Sequence, residues 1–330
     1  MSASTRLARE VLDEPPLLER LELLEVLDEP QWRERERAHA ERTQAWVAPR
    51  LARRERGQAH PVDDFLFDYY PYSTSRLTTW HPGLGVEVRG RVERFAEHPA
   101  YSRTADGALA DPRRATFHRS RLDLAVSILE STATRAPQLG CFGMHEWAMV
   151  YGLDQDQVRH AGLPLRLGPA DIADAVHEVG LRCTHIDAFR FFTPQAVPLN
   201  SLEPTRSTQP DLEQPGCLHA TMDLYKYAQW FHPYVASELA ADCFALARDA
   251  RALDMQASPY DCSSLSLDPV RVETADGRVE YARRQRELMG RAAPLRGRLI
   301  ETLLRLRARL DDTRSVEGLH GAPDFGTMSP

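Results

Sequence analysis

The stretch Cys217-Leu-His-Ala-Thr-Met-Asp-Leu-Tyr-Lys226 places titratable side chains on an apolar, helix-forming background. We predict a helix from Gly216 through about residue 231, with one stripe of polar groups facing the interior. Polar groups on a buried helix require hydrogen-bonding partners, and these must come from other segments of the chain. At about 100° per residue, four side chains fall within roughly 60° of arc: His219, Asp223, Lys226 and Trp230.

Lys226 is the single lysine among 41 basic residues, and the other 40 are arginines. A guanidinium stays charged at any usable pH, whereas an amine can lose its proton. Lys226 is therefore a candidate for a nucleophilic or proton-transferring role. The alternative is one lysine left on the surface of an arginine-rich chain.

Two further segments repeat the order of cysteine, histidine and acid in an apolar setting. They are Cys141-Phe-Gly-Met-His-Glu146 and Cys183-Thr-His-Ile-Asp187. An unpaired buried polar group costs on the order of 1–3 kcal/mol, so these groups are expected to meet one another. Titratable residues gathered in a cleft are typical of a functional site. We therefore expect the three segments to form one pocket.

Two kinds of chemistry fit that pocket. One is a zinc or iron site, because imidazole is a common ligand for both metals; its ligands are His145, His185 and His219, with one carboxylate. The spacing matches no specific metal-binding template, since there is neither His-Glu-x-x-His nor a paired Cys-x-x-Cys. The alternative to any chemistry in the pocket is that the histidines are structural and tie the segments together.

The other chemistry is metal-free acid–base or nucleophilic catalysis, in which carboxylates and an amine move protons or attack the substrate. Asp223, one turn after His219, would orient its imidazole. The predicted catalytic residues are Asp223, Lys226, Glu146 and Asp187.

Aromatic residues are dense between positions 65 and 80, where they either pack in the core or line a cleft. An aromatic cleft can stack a planar or cationic ligand. Arg190 lies between phenylalanines and is a candidate to face the site. The predicted substrate-binding residues are Tyr69, Tyr70, Trp80, Trp147, Arg190 and Tyr227.

Composition indicates a soluble globular protein. The chain has 330 residues, 42% hydrophobic content and a formal charge of -7, which argues against binding a bulk polyanion but allows a local basic patch. Five dispersed cysteines make a disulfide framework unexpected. The chain shows neither a membrane-length apolar run nor a secretion signal, so we expect a cytoplasmic protein.

The predicted fold is mainly α-helical (α+β), with one central domain and a minor β element. Period-2 alternation over residues 84–95 is the best strand signal. The predicted parts are a leader (1–30), a helical arm (31–60), the central domain with the site (61–275), a basic C-terminal helical region (276–311) and a disordered tail (312–330).

The basic region at 281–311 carries nine arginines against three acids, a net charge of +6, and is interrupted by Pro294 and Gly297. It is either a solvated helix face or a surface that contacts phosphates.

Several long phrases resemble a bacterial family, frequent in actinobacteria, that is labelled 3-methyladenine DNA glycosylase. The resemblance covers roughly residues 31–305. The phrases include Asp64-Phe-Leu-Phe-Asp-Tyr-Tyr70, Cys141-Phe-Gly-Met-His-Glu-Trp-Ala-Met-Val-Tyr151, His185-Ile-Asp-Ala-Phe-Arg-Phe-Phe-Thr-Pro194, Gln214-Pro-Gly-Cys-Leu-His-Ala-Thr-Met-Asp-Leu-Tyr-Lys226 and Glu238-Leu-Ala-Ala-Asp-Cys-Phe-Ala-Leu-Ala-Arg-Asp249.

The resemblance implies DNA repair by base excision. Such a hydrolase flips an alkylated purine out of DNA, stacks the base and breaks the N-glycosidic bond. Asp223 would supply a carboxylate facing the sugar, and Lys226 an amine for a Schiff base if the strand is also nicked. No cofactor is expected for this reaction, and the partner is alkylated DNA. The sequence departs from the commonest glycosylase class in lacking a Leu-Pro-Gly-Val-Gly phrase and in being acidic.

Overall fold

The computed structural model describes residues 25–320, with side chains described through residue 312. Twelve helices and one four-stranded sheet make up this part of the chain, so the predicted mainly α-helical fold with a minor β element is confirmed. Within the same residues, no helix is both long and apolar enough to cross a bilayer. All five cysteines are free thiols, as their dispersed spacing predicts.

The first half of the described chain mixes short strands with helices, and the second half is helical. The elements are β1 (Glu25–Leu27), α1 (Glu29–Glu55), α2 (Phe65–Tyr69), α3 (Thr74–Thr78), β2 (Val86–Arg89), α4 (Glu93–Ala96), β3 (Tyr101–Arg103), β4 (Gly107–Ala110), α5 (Arg119–Thr134), α6 (Met144–Ala148), α7 (Pro169–Val179), α8 (Ile186–Phe189), α9 (Gln209–Leu212), α10 (Leu218–Trp230), α11 (Ser237–Ala257) and α12 (Ala275–His320).

Helix α10 lies at the centre of the molecule, packed between α11 and α12. All of its 13 residues except Lys226 and Trp230 are buried. A helix buried on nearly every side must satisfy its polar side chains internally. The helix therefore positions His219 and Asp223 in the interior, one turn apart.

The sheet has the strand order β1-β2-β4-β3, with β1 parallel to β2 and the other pairs antiparallel. The strand predicted over residues 84–95 ends at Arg89, and α4 begins at Glu93. Gly90 has a φ of +91°, and a Cβ there would come within 2.8 Å of Glu29 Cβ. The chain turns at this position because glycine alone fits such a conformation and approach.

The predicted N-terminal segments differ from the structure at their boundary. Most of the leader, residues 1–24, lies outside the described residues, but Glu25–Leu27 forms β1 and pairs with β2. The predicted arm corresponds to α1, which begins with a capping box between Asp28 and Gln31. The residues that anchor α1 to the core are Trp32, His39, Thr43 and Val47.

Helix α12 is one continuous helix, so the interruption predicted at Pro294 and Gly297 is wrong. Pro294 is exposed, whereas Ala292, Leu299 and Leu303 keep the buried face continuous across it. The helix also runs on to His320, past the start of the predicted tail at residue 312. Packing against α5, α10 and α11 outweighs the local effect of one proline.

Candidate functional site

Three histidine rings from three separate segments lie side by side in the interior. The ring centroids of His145 and His219 are 4.6 Å apart, and those of His185 and His219 are 5.3 Å apart. The structure thus brings together the segments that the sequence predicts to converge. We call the group around these rings the histidine hollow; its members are His145, Glu146, His185, Asp187, Glu213, His219, Asp223, Lys226, Arg251 and Asp254.

A sharp turn delivers the first histidine. Phe142 and Gly143 both have left-handed backbone conformations, with φ values of 49° and 73°, and α6 begins directly afterwards. A Cβ on Gly143 would approach Ala257 and Tyr281 to 3.3 Å. The turn therefore requires glycine, and it sets His145 and Glu146 against α11.

His145, His219 and Asp254 form a compact set of ligand atoms that all lie within 4.8 Å of one another. His145 Nε2 and Asp254 Oδ1 are 2.7 Å apart and form a buried ion pair. His219 Nδ1 is buried and has no hydrogen-bond partner in the described residues. Ligand atoms about 2.1 Å from a shared ion stand roughly 3.0–3.4 Å apart, so an ion at this set requires the pair of His145 Nε2 and Asp254 Oδ1 to open by a few tenths of an ångström.

Asp254 is held from its other side by Arg251. The guanidinium donates to Asp254 Oδ2 at 2.9 Å and to Glu146 Oε1 at 2.7 Å. Arg251 is 2% exposed, so it supplies a fully buried positive charge. It leaves Asp254 Oδ1 turned toward the two imidazoles.

The charge states in this set follow from burial and pairing. Burial and the neighbouring His145 hold the pKa of His219 well below its usual value, so this imidazole is neutral. Burial opposes charge on His145 and Asp254 as well, but their mutual attraction outweighs it, raising the pKa of His145 and lowering that of Asp254. A metal ion at this set therefore has to displace one proton from His145.

A second buried set of titratable groups adjoins His219 through His185. His185 Nε2 is 3.1 Å from Glu213 Oε1 and 3.3 Å from Asp223 Oδ2. Burial alone would lower the pKa of His185, but Glu213 and Asp223 outweigh it and raise that pKa to about 9. His185 is thus an imidazolium held by two carboxylates. The predicted ligand set of His145, His185 and His219 is therefore wrong for His185, which groups with Glu213 and Asp223 instead.

Lys226 completes the second set from the solvent side. Its ammonium donates to Asp223 Oδ2 and lies 3.6 Å from Asp187 Oδ2, and Arg206 also binds Asp187. Burial lowers the pKa of Lys226, but Asp223 and Glu213 outweigh it, so that the pKa is raised. Lys226 is therefore a paired ammonium rather than a neutral amine poised to attack.

A narrow cavity of about 20 Å³ connects the hollow to the surface. That volume holds about one water molecule. His219, Glu146 and Asp187 reach it from the hollow. The remaining lining residues are Phe65, Tyr69, Met149, Arg159, His160, Phe191, Arg251 and Tyr260.

Four of the six predicted substrate-binding residues lie at the hollow or its cavity. Tyr69 lines the cavity, and Tyr70 donates its hydroxyl to Asp223 Oδ1 at 2.8 Å. Arg190 is half exposed and lies 3.5 Å from Asp187. Tyr227 is buried, and the Lys226 ammonium lies 5.0 Å from its ring centroid.

The two tryptophans are core residues instead. Trp147 is fully buried and donates its indole N–H to Ala257 O at 2.8 Å. Trp80 is 1% exposed, packs on Phe95 and donates to Glu238. Both indole N–H groups are hydrogen-bonded within the chain. Large aromatic side chains contribute most to stability when they are fully packed.

Sequence reasoning missed several members of the hollow. Asp254 follows Arg251 by three residues between Leu253 and Met255, so an acid and a base on one buried helix face were available as a signal. Glu213 offered none, because it lies in the proline-dotted segment 194–215 that reads as a surface loop. Glu213 is 1% exposed.

No protein-family model, curated protein or solved structure matches the chain. The resemblance to the glycosylase-labelled family therefore rests on the sequence phrases alone.

Proposed function

We propose that the protein is a metal-dependent enzyme that holds one zinc or iron ion through His145, His219 and Asp254 and acts on a small molecule. The observation that carries the proposal is the convergence of three buried residues, His145, His219 and Asp254, whose ligand atoms all lie within 4.8 Å of one another, with no hydrogen-bond partner for His219 Nδ1 in the described residues. Buried polar atoms ordinarily have partners, so atoms that converge in this way fit a shared ion.

The donor set fits the metals that the sequence predicts. Two imidazoles and one carboxylate, with positions left open, are used by catalytic zinc sites and by non-haem iron sites. Arg251 orients the carboxylate from outside the ligand set, as outer-shell partners of metal ligands do. The cavity reaches His219 and Glu146, which provides a path to an open position.

A metal ion in such a site polarises a bound substrate atom or lowers the pKa of a bound water. The chain supplies the proton carriers around it. Burial raises the pKa of Glu146, with Arg251 opposing, and this carboxylate lines the cavity within reach of a small substrate. The cavity holds about one water molecule, so it excludes bulk water and a macromolecular substrate, and a small substrate requires the lining side chains to move apart.

Metal analysis of the purified protein tests the proposal. We expect about one equivalent of zinc or iron per chain after reconstitution, and loss of most of it in His219→Ala and Asp254→Asn. Asp249→Asn is the matched control, because Asp249 lies on the same helix but is exposed and paired with Arg291. A wild-type protein that takes up no metal, or an Asp254→Asn variant that binds as tightly as wild type, would overturn it.

Excision of alkylated purines, which the family resemblance implies, remains a separate prediction. Release of 3-methyladenine from alkylated duplex DNA by metal-loaded and metal-stripped protein tests it directly. Release that is independent of the metal and of Asp254 would favour glycosylase activity over the metal-dependent reaction. A borohydride trap tests the Lys226 Schiff base, which its paired ammonium state disfavours.

A further inference from the structure

A second cavity, of about 330 Å³, opens near the carboxyl end of α10, beyond Trp230. Its volume lies in the range of small-molecule sites, which is roughly 300–1,000 Å³. It is separate from the cavity of the histidine hollow, with which it shares no lining residue. We call it the arginine cleft; its lining residues are Arg76, His98, Pro99, Ala100, Arg114, Thr116, Phe117, Arg121, Trp230, His232, Pro233 and Tyr234.

The arginine cleft has three guanidinium groups and no acidic lining residue. Within the described residues, no carboxylate lies within 4.0 Å of Arg76, Arg114 or Arg121. Most other arginines do have such a partner; Arg283, for example, binds both Glu280 and Glu287. Three cations that share a concave site repel one another, and an anion in the cleft relieves that repulsion.

Two buried nitrogens at the cleft also have no hydrogen-bond partner among the residues that the structure describes. Arg76 Nη2 donates to Gln229 O, but Arg76 Nε is buried and makes no hydrogen bond. His232 Nε2 is likewise buried and makes no hydrogen bond in the described residues. A buried polar atom without a partner is unfavourable, and a bound ligand that supplies a hydrogen-bonding group offsets that cost.

Aromatic rings form the apolar part of the cleft. Phe117 packs edge-on against Phe231 and Tyr234, and the rings are fixed by these contacts. Trp230 is half-buried, and the Arg121 guanidinium lies 5.6 Å from its ring centroid. Rigid aromatic walls next to guanidinium groups suit a flat ring that carries a negative group.

We propose that the arginine cleft binds a small organic anion that consists of a planar ring bearing a phosphate or a carboxylate. The guanidinium groups bind the anion, and Phe117 and Trp230 contact the ring. This site goes beyond the metal-dependent function and does not depend on it. The phosphate and the carboxylate are alternative sources of the same charge, and the test separates them.

Binding is measured by calorimetry with adenosine monophosphate, indole-3-carboxylate, adenosine and inorganic phosphate as probes. We expect at least one ring-bearing anion to bind, and adenosine and phosphate to bind at least about tenfold more weakly. In the Arg114→Gln/Arg121→Gln double variant the affinity should fall by about a hundredfold, since each charged hydrogen bond contributes about a factor of ten. Arg283→Gln, a paired and exposed arginine on α12, is the control and should bind as wild type does.

Binding of adenosine monophosphate alone assigns a phosphate, and binding of the carboxylate alone assigns a carboxylate; both support the proposal. Inorganic phosphate that binds as tightly as the ring-bearing probes would overturn it, as would an unchanged affinity in the double variant or the absence of binding by every probe. Arg114 and Arg121 are exposed, so the double variant should fold normally, and circular dichroism checks this. The metal content of the double variant should match that of wild type, which separates this test from that of the metal site.

Discussion

The two ends of α10 present opposite electrostatic environments. Near its start, His219 and Asp223 face a hollow where Lys226 and Arg251 are each bound by carboxylates. At its end, Trp230 faces a cleft of arginines that have no carboxylate partner in the described chain. In the hollow the chain supplies both signs of charge, and ligand atoms of His145, His219 and Asp254 converge where a cation fits. In the cleft it supplies one sign only, and the missing partner is an anion.

The largest predicted effect is on the hollow. Arg251→Met would leave Glu146 and Asp254 buried without their cation, and removing one member of a buried ion pair costs about 3–5 kcal/mol. We expect a loss of this size in the free energy of unfolding, measured with denaturant on metal-free protein. Arg283→Met on the exposed face of α12 is the control and should cost less than about 1 kcal/mol. Equal losses in the two variants would contradict the contrast between buried and exposed pairs.

The contributions of His185, in the hollow, and His232, at the cleft, to the free energy of unfolding should respond to pH in opposite directions. The pKa of His185 rises from 6.5 to about 9 on folding, because Glu213 and Asp223 outweigh burial. The stabilisation is complete below pH 6.5 and is lost as pH rises through 9, by about 3 kcal/mol. Burial lowers the pKa of His232 to about 3, so its contribution is lost as pH falls below 6.5.

The measurement is the difference in unfolding free energy between metal-free wild type and His185→Asn or His232→Asn across this pH range. The His185 difference should shrink between pH 6.5 and 9, and the His232 difference should change only on the acid side. Two differences that move in the same direction would contradict the assignment of opposite environments.

The smallest predicted effect is on the cleft. Arg121→Gln removes a charge that has no carboxylate partner, so stability should change by no more than about 0.5 kcal/mol, in either direction. A thermal denaturation experiment without ligand measures this. A loss of several kcal/mol would mean that Arg121 has a structural partner, and it would remove the reason to assign the cleft to a ligand.

The polar stripe of α10 was the most predictable part of the site. His219, Asp223 and Lys226 follow helical spacing on an apolar, buried helix. Their need for hydrogen-bonding or charged partners can therefore be predicted from the local sequence. The partners themselves were only partly predictable. His145 and His185 carry the same local pattern, whereas Glu213 lies in a segment whose prolines indicate a surface loop.

The remaining differences arise from contacts between distant segments. β1 is three residues long and exists because it pairs with β2, some 60 positions later. α12 continues through Pro294 because packing on three other helices holds it. The arginine cleft combines residues from positions 76 to 234, so its lack of acids becomes visible only in three dimensions.

Because Lys226 is the single lysine of the chain, the rate at which it is labelled measures motion of the interior around it. Amine-directed reagents find one side-chain target in the whole chain, and that target is 12% exposed and surrounded by carboxylates. Acylation requires the Lys226 ammonium to lose its proton and the surrounding carboxylates to move away from it. The speed at which a single label appears therefore reports how often this interior opens to solvent, without any engineered probe.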